Sequence, residues 1–211
     1  MTDRGIVVSL FDYSGVMVKP WLDAGYECWI VDIQHPPGIT PDGSLYRVRA
    51  DLSQPWIPPL ELSRVAFVSA FPPCDHLAVS GARWFQGKGL RALSESIAMF
   101  ATAAEFCEST AAPYLIENPV STISMHWRKP DYTFHPHEYA GFCLGDNYTK
   151  KTCLWVGNGF VMPPKHPGIY EPDDRIHKCP HGPDRKNIRS QTPAGFAKAV
   201  FLANTKQREA A

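Results

Sequence analysis

Two short segments of this sequence carry residue types that can do covalent chemistry. In Pro72-Pro73-Cys74, two prolines fix the backbone directly ahead of a cysteine at the end of an apolar run, so the sulfur is presented rigidly. Behind it, Asp75 to Gly81 and then Gly87 and Gly89 form a glycine-punctuated stretch suited to closing over a substrate. A reactive cysteine needs a lowered pKa, which His76, Arg83 or a helix N-terminus can supply. The alternative, an inert buried cysteine, suits Cys28, Cys107 and Cys153, which fall inside expected strands or a helix. The second segment is Glu117-Asn118-Pro119. A glutamate ending so apolar a run is expensive to bury without a task. Beside a nucleophile it can protonate or hydrogen-bond a ring nitrogen of a bound base; its alternative is an acid capping the next segment.

Both segments end apolar runs, and so do three others. The runs predict strands at 6–11, 27–33, 45–50, 64–70, 114–117 and 152–156, the third more exposed than the rest. Helices are expected at 18–24, stopped by Gly25, at 90–109, with Leu93, Ile97, Phe100 and Ala104 on one face, and from Thr192-Pro193 to Ala203. Strands alternating with helices predict an α/β protein with a largely parallel sheet. Such sheets bind ligands outside the carboxyl ends of their strands, where this sequence places Asp12 and Gly15, Asp32, Asp51, Cys74 and Glu117. Gly15 suits a close approach of backbone to ligand. Asp32 stands where an acid accepts hydrogen bonds from a ribose, and Asp51 where it can reach an adenine amino group. A turn glycine and capping aspartates explain these three equally well when taken alone.

Composition narrows the class. The chain has 211 residues, 44% hydrophobic and 12% aromatic, which excludes a disordered protein. With 21 Lys+Arg against 21 Asp+Glu, it is not a protein that grips nucleic acid over its whole surface. No run of eighteen apolar residues and no leader-like N-terminus occur, so a cytoplasmic protein without a membrane segment is expected. Six scattered cysteines without a CxxC pair do not make a disulfide framework. The His177-Lys-Cys179-Pro-His181 stretch lacks the second ligand pair of a zinc site, so no metal is expected.

Leu10-Phe11-Asp12-Tyr13-Ser14-Gly15, Phe71-Pro72-Pro73-Cys74, Glu117-Asn118-Pro119 and the Tyr148 to Gly157 strand, in that order, resemble the motifs of the DNA cytosine-5 methyltransferases. The likeness runs over residues 6–157, and the compact layout is similar to phage-encoded relatives. It implies a Rossmann-like sheet of the S-adenosylmethionine-dependent methyltransferases with helices on both faces. A catalytic core at 1–157, a short irregular insert at 158–188 in place of a full target-recognition domain, and a C-terminal helix at 189–211 are the expected divisions. The resemblance further implies that Cys74 attacks C6 of cytosine and that Glu117 holds the base. Asn118 would support the cysteine loop, and Lys150 would contact a phosphate or the base carbonyl. Phe11, Asp12, Gly15, Asp32, Ile33, Asp51, Leu52 and Pro72 would bind S-adenosylmethionine. Pro73, His76, Ser80, Arg83, Lys151, Arg185 and Lys186 would face the substrate. Tyr13 and Val16 replace two glycines of the family's opening motif, lysines and a threonine replace its glutamine and arginines at 148–152, and its closing motif is absent.

Three functions fit these features: a small DNA cytosine-5 methyltransferase, a same-fold enzyme acting on a free cytosine nucleotide such as dCMP, and a catalytically silent relative that binds DNA or protein. The stretch Arg175 to Arg189, with five cations against Asp184, forms with Lys150 and Lys151 an expected phosphate-binding rim, which favours DNA, double- or single-stranded.

Overall fold

A computed structural model of the protein describes residues 4–180, 182 and 185–205. In chain order the main elements are β1 (Ile6–Leu10), α1 (Lys19–Asp23), β2 (Glu27–Val31), β3 (Ile39–Asp42), β4 (Leu45–Val48), β5 (Val65–Ala70), α2 (Phe85–Ser109), β6 (Tyr114–Pro119), α3 (Ile123–His126), β7 (Tyr132–Phe134), β8 (Thr152–Gly157), α4 (Arg185–Ser190) and α5 (Ala194–Thr205). The eight strands form one sheet in the order β3-β4-β2-β1-β5-β6-β8-β7. From β4 to β6 every neighbouring pair is parallel. β8 runs antiparallel to both β6 and β7. This is a Rossmann-like, largely parallel sheet, with the switch point at β1, where the chain turns back to build β5 and β6.

The continuous apolar runs become strands because both faces of the sheet are covered. Alternate residues split between two cores. Val8, Leu10, Val31, Val68, Ile116 and Trp155 pack with Phe100, Ala103 and Cys107 of α2. Val7, Cys28, Ile30, Phe67, Leu115 and Leu154 pack with Trp21 of α1 and Phe196 and Val200 of α5. Trp21 stacks on Phe67 at 4.7 Å and meets Phe201 edge-on, and Phe196 stacks on Phe134 at 4.0 Å. Full burial of each such side chain contributes roughly 1.5–3 kcal/mol.

Four local expectations change. The hairpin strand β3 flanks β4 antiparallel, so the 45–48 strand is not the sheet edge. α2 begins at Phe85 but breaks at Gly89 (φ 81°, ψ 167°), so its regular part starts where the apolar periodicity does. α4 falls inside the stretch expected to be irregular, and the rest of that stretch is hydrogen-bonded to the segment after β7: Tyr139 donates its hydroxyl to Pro163, and His166 its N–H to Glu138. At α5, the Gly195 N–H donates to the buried Asp146 carboxylate at 2.6 Å, so the N-terminal cap comes from across the fold rather than from Thr192.

Candidate active site

The parallel strands deliver their carboxyl ends to one rim, and antiparallel β8 adds its amino-terminal lead-in to the same rim. Cys74 lies in the loop after β5 and Glu117 near the end of β6. Antiparallel register pairs Glu117 with Leu154 and Pro119 with Thr152, which brings Lys150 alongside. The Lys150 ammonium stands 4.0 Å from a Glu117 carboxylate oxygen, both side chains largely buried. Asn118 donates its side-chain N–H to the Pro72 carbonyl at 2.9 Å, fixing the backbone ahead of the cysteine. The cysteine loop is also clamped to the exit from β6: Val79 N–H donates to the Val120 carbonyl and Thr122 N–H to the Leu77 carbonyl, each at 2.9 Å. Cys74, Glu117, Asn118 and Lys150 are thus brought together on three neighbouring strand ends, those of β5, β6 and β8.

The electrostatics of this group differ from the sequence expectation. Burial, then the charges of Glu117 and Asp75, hold the Cys74 thiol above its ordinary pKa, and only Lys150 and a backbone hydrogen bond pull against them. Arg83 is exposed in the 3₁₀ turn Val79–Trp84, with Ser80 beside it. Burial likewise raises the Glu117 carboxyl, opposed by Lys150. Glu117 Oε1, Asn118 Oδ1 and His76 Nδ1 are buried without a hydrogen-bond partner. Pro72 is buried and Pro73 half-buried beside them.

At the ends of β1, β2 and β4 the polar groups are better satisfied. The buried Asp12 carboxylate accepts from Ser9 Oγ (2.8 Å), Ser14 Oγ (3.1 Å) and Gly15 N–H (2.7 Å). Burial still raises its pKa. Asp12 therefore closes the turn after β1 with three hydrogen bonds. The turn has left-handed backbone at Phe11 (φ 55°) and Gly15 (φ 70°). Tyr13, in place of a glycine, stacks on His35 at 5.5 Å, and His35 Nε2 donates to the Asp12 carbonyl. Asp32 Oδ1 accepts from both the N–H and side chain of Gln34. Ile33 is 55% exposed, while Leu52 is buried in the α2-side core with Phe11 packed on it. Asp51 is exposed and held below the ordinary carboxylate pKa by hydrogen bonds from Ser53.

Part of the expected basic rim is neutralised by carboxylates just ahead of it. Arg175 forms a bidentate pair with Asp173, and Lys178 pairs with Asp174 at 2.8 Å. The Arg185 guanidinium donates to the Cys179 carbonyl. The Lys186 side chain and His181 lie outside the described residues. Among the described residues, no three His, Cys, Asp or Glu side chains are grouped to hold a metal, and no helix is long and apolar enough to cross a membrane. Missed by sequence reasoning were Tyr148, whose ring is close enough to feel Glu117, and His135 and His137 after β7; the His-Pro-His spacing was a signal only once β7 was recognised.

No protein-family model matches the chain, and no curated protein matches it. Among solved structures, the glycopeptide N-methyltransferase MtfA complexed with (S)-adenosyl-L-homocysteine is similar with a TM-score of 0.33 and 12% identity, over 64% of this chain and 50% of that one. A further crystal structure of the glycopeptide N-methyltransferase MtfA gives 0.30 and 13%, over 72% and 65%. MtfA complexed with (S)-adenosyl-L-methionine gives 0.29 and 14%, over 72% and 64%. The chain thus spans between half and less than two thirds of the length of these structures. At such scores the likeness carries no argument; the fold rests on the strand order, and the site on the residues described above.

Proposed function

We propose that the protein transfers a methyl group from S-adenosylmethionine to carbon-5 of cytosine in DNA, through a covalent adduct of Cys74 at C6. The observation that carries this reading is the convergence of Cys74 and Glu117 on adjacent strand ends, with Asn118 bracing Pro72 and Glu117 Oε1 without a hydrogen-bond partner, Lys150 standing 4.0 Å away. A pyrimidine with a ring N3 and an exocyclic amine supplies what that carboxyl lacks. The remaining strand ends fit the cofactor: Asp32 has no hydrogen bond on Oδ2 among the described residues and suits ribose hydroxyls, exposed Ile33 and half-buried Phe11 offer apolar surface to adenine, and ionised Asp51 suits its amino group.

Carbon-5 of cytosine is too weak a nucleophile to take a methyl group unaided. Cys74 changes this by forming an S–C6 bond, which turns the ring into an enamine and makes C5 nucleophilic. The raised pKa of Glu117 lets it keep a proton where exposed carboxyls have lost theirs, and it gives that proton to N3 as C6 becomes electrophilic. The Cys74 thiol starts protonated, so its proton leaves as substrate seats, and Lys150 is the neighbouring cation that favours the thiolate. S-adenosylmethionine, when bound, would supply the electrophilic methyl group for C5 and leave as S-adenosylhomocysteine. The C5 proton then passes to water, its bonding pair forms the C5–C6 double bond as Cys74 departs as thiolate, and N3 returns its proton to Glu117. In duplex DNA the cytosine must first leave the stack.

A second reading, the same chemistry on dCMP, is favoured by one observation: Arg175 and Lys178 are paired with Asp173 and Asp174, which weakens the case for an extended phosphate track. Both are tested by incubating the protein and S-adenosylmethionine with 5-fluorocytosine, in DNA or as the nucleotide. The expected result is a covalent adduct that Cys74→Ala loses; an adduct that persists in that variant overturns the assignment. The substrate that forms it distinguishes the two readings.

A further inference from the structure

We propose that His135, His137, His177 and Lys151 form a phosphate-binding site beside the cysteine–glutamate pair, which holds the phosphate of the cytosine-bearing substrate. The nature of the phosphate's parent rests on the functional reading above; the anion site itself does not.

The backbone assembles the four residues from three separate segments. β7 is antiparallel to β8, which is antiparallel to β6, so β7 runs parallel to β6 and leaves the sheet at the catalytic rim. Phe134 pairs with Thr152, so His135 leaves β7 where Lys151 enters β8. His137 N–H donates to the Tyr148 carbonyl at 3.2 Å, tying the histidine turn to the same lead-in, and the His135 and His137 rings lie 5.5 Å apart. The third segment arrives through a bridge between Tyr148 and Asp173, where Thr149 N–H donates to the Asp173 carbonyl at 2.8 Å. His177 follows in a turn whose N–H donates to the Asp174 carbonyl. The protonated form of His135 is disfavoured by burial and then by His137, favoured by the nearby Glu138, and disfavoured again by Lys151 and His177, so all four groups lie within electrostatic reach of it. Lys151 follows Lys150, the ion-pair partner of Glu117, so the segment that carries the cluster also reaches the cysteine–glutamate pair.

Charge pairing separates this cluster from the other cations nearby. Arg128, Lys165, Arg175 and Lys178 each have a carboxylate partner, in Asp131, Glu138, Asp173 and Asp174. His135, His137, His177 and Lys151 have no such partner among the described residues. The carboxylate on their own turn, Glu138, is engaged by the His135 N–H at 3.2 Å and by Lys165 at 2.8 Å. The His135 side chain faces the Glu138 N–H across its own turn, yet its buried Nδ1 makes no full hydrogen bond, which leaves it open to a ligand. Several donors converging from different segments without an acceptor match an anion with oxygens on several sides, which a phosphate offers.

The test uses inorganic phosphate, deoxycytidine, dCMP and a short single strand with one cytosine, with binding followed by calorimetry and the imidazole resonances by NMR. Phosphate is expected to shift the His135, His137 and His177 resonances, and dCMP to bind about tenfold or more tightly than deoxycytidine, as charge-assisted hydrogen bonds imply. The double variant His137→Asn, His177→Asn should lose that difference while deoxycytidine affinity stays. Lys151→Ala, on an exposed side chain that cannot disturb the core, should lose part of it. Loss confined to the single strand assigns the site to a backbone phosphate, and loss confined to dCMP to a terminal one; both support it. Unmoved histidine resonances, with native and variant proteins binding every probe alike, overturn it. Failure of the methyl-transfer reading shows separately, as a native protein that forms no Cys74 adduct while its histidine resonances still respond to phosphate.

Discussion

The two halves of the strand-end rim handle buried polar groups in opposite ways. Around β1 and β2, Asp12 is saturated by Ser9, Ser14 and Gly15, and one oxygen of Asp32 by Gln34. Around β5 and β6, Glu117 Oε1, Asn118 Oδ1 and His76 Nδ1 are buried and unanswered next to a thiol. Native proteins pair nearly all buried polar groups, so the exceptions mark where a partner must come from outside. A carboxylate at a strand end is therefore not by itself a ligand group. Asp12 has the position of one and the bonding of a turn.

The comparison breaks most sharply at Cys74. Cys74→Ala should lower turnover by about 10⁴-fold or more, since the covalent route disappears. The melting temperature should barely move, because the half-buried sulfur supports no hydrogen bond to another residue's side chain. Glu117→Gln comes next. It should lower turnover by about 10²–10⁴-fold, the usual range for a positioned acid, while changing stability in a pH-dependent direction. The folded-state pKa of Glu117 is raised by burial, so the native protein binds this proton more tightly when folded. Its stability falls as pH rises from the unfolded carboxyl value through the raised folded one, and Gln, always neutral, escapes that loss. Denaturation curves should show the variant gaining on the native protein as pH rises and losing that gain in acid. Equal pH profiles would mean that Glu117 is ionised at no cost, and the contrast between the two halves would fail.

The aspartates sharpen the comparison at smaller scale. Asp32→Ala should weaken S-adenosylmethionine binding by about 1.5–3 kcal/mol, the worth of a hydrogen bond to a charged acceptor, measured by calorimetry. Asp12→Ala should instead destabilise the fold by about 1–3 kcal/mol, since the Gly15 N–H and two serine hydroxyls lose their acceptor. If Asp12→Ala changed only cofactor affinity and left the unfolding midpoint in place, the turn-closing role would be wrong.

The strands were legible in the sequence wherever they are buried on both faces, because burial on both sides demands an unbroken apolar run. β3 was not, since all four of its residues are exposed and Pro41 sits inside it, as an edge strand tolerates. β7 is three residues long, and α4 is too short for periodicity to show. In the site, Cys74, Glu117, Asn118 and Lys150 could be placed because each adjoins a legible strand. The direction of the thiol's pKa could not be, since it depends on how deeply the loop packs against Val120 to Thr122. The histidine cluster depends on the β7–β8 register, which no local pattern encodes. The basic segment from Arg175 to Arg189 misled for a related reason: the carboxylates that neutralise Arg175 and Lys178 lie just ahead of it, at 173 and 174.

That last pairing yields the smallest expected effect. If the substrate is DNA, each phosphate neutralised adds about −0.9 to the log–log salt slope of binding. Lys178 is exposed and faces Asp174 at 2.8 Å, so the pair presents almost no net charge to a strand. Lys178→Ala removes one cation but leaves one carboxylate, and should shift the slope by much less than that increment while weakening binding slightly through repulsion. Asp174→Asn releases the ammonium and should steepen the slope and tighten binding. The two variants thus move affinity in opposite directions if the pair persists in the complex. Should Lys178→Ala instead flatten the slope by the whole increment while Asp174→Asn stays neutral, the lysine must leave its partner for a phosphate, and the basic rim works as its composition suggests.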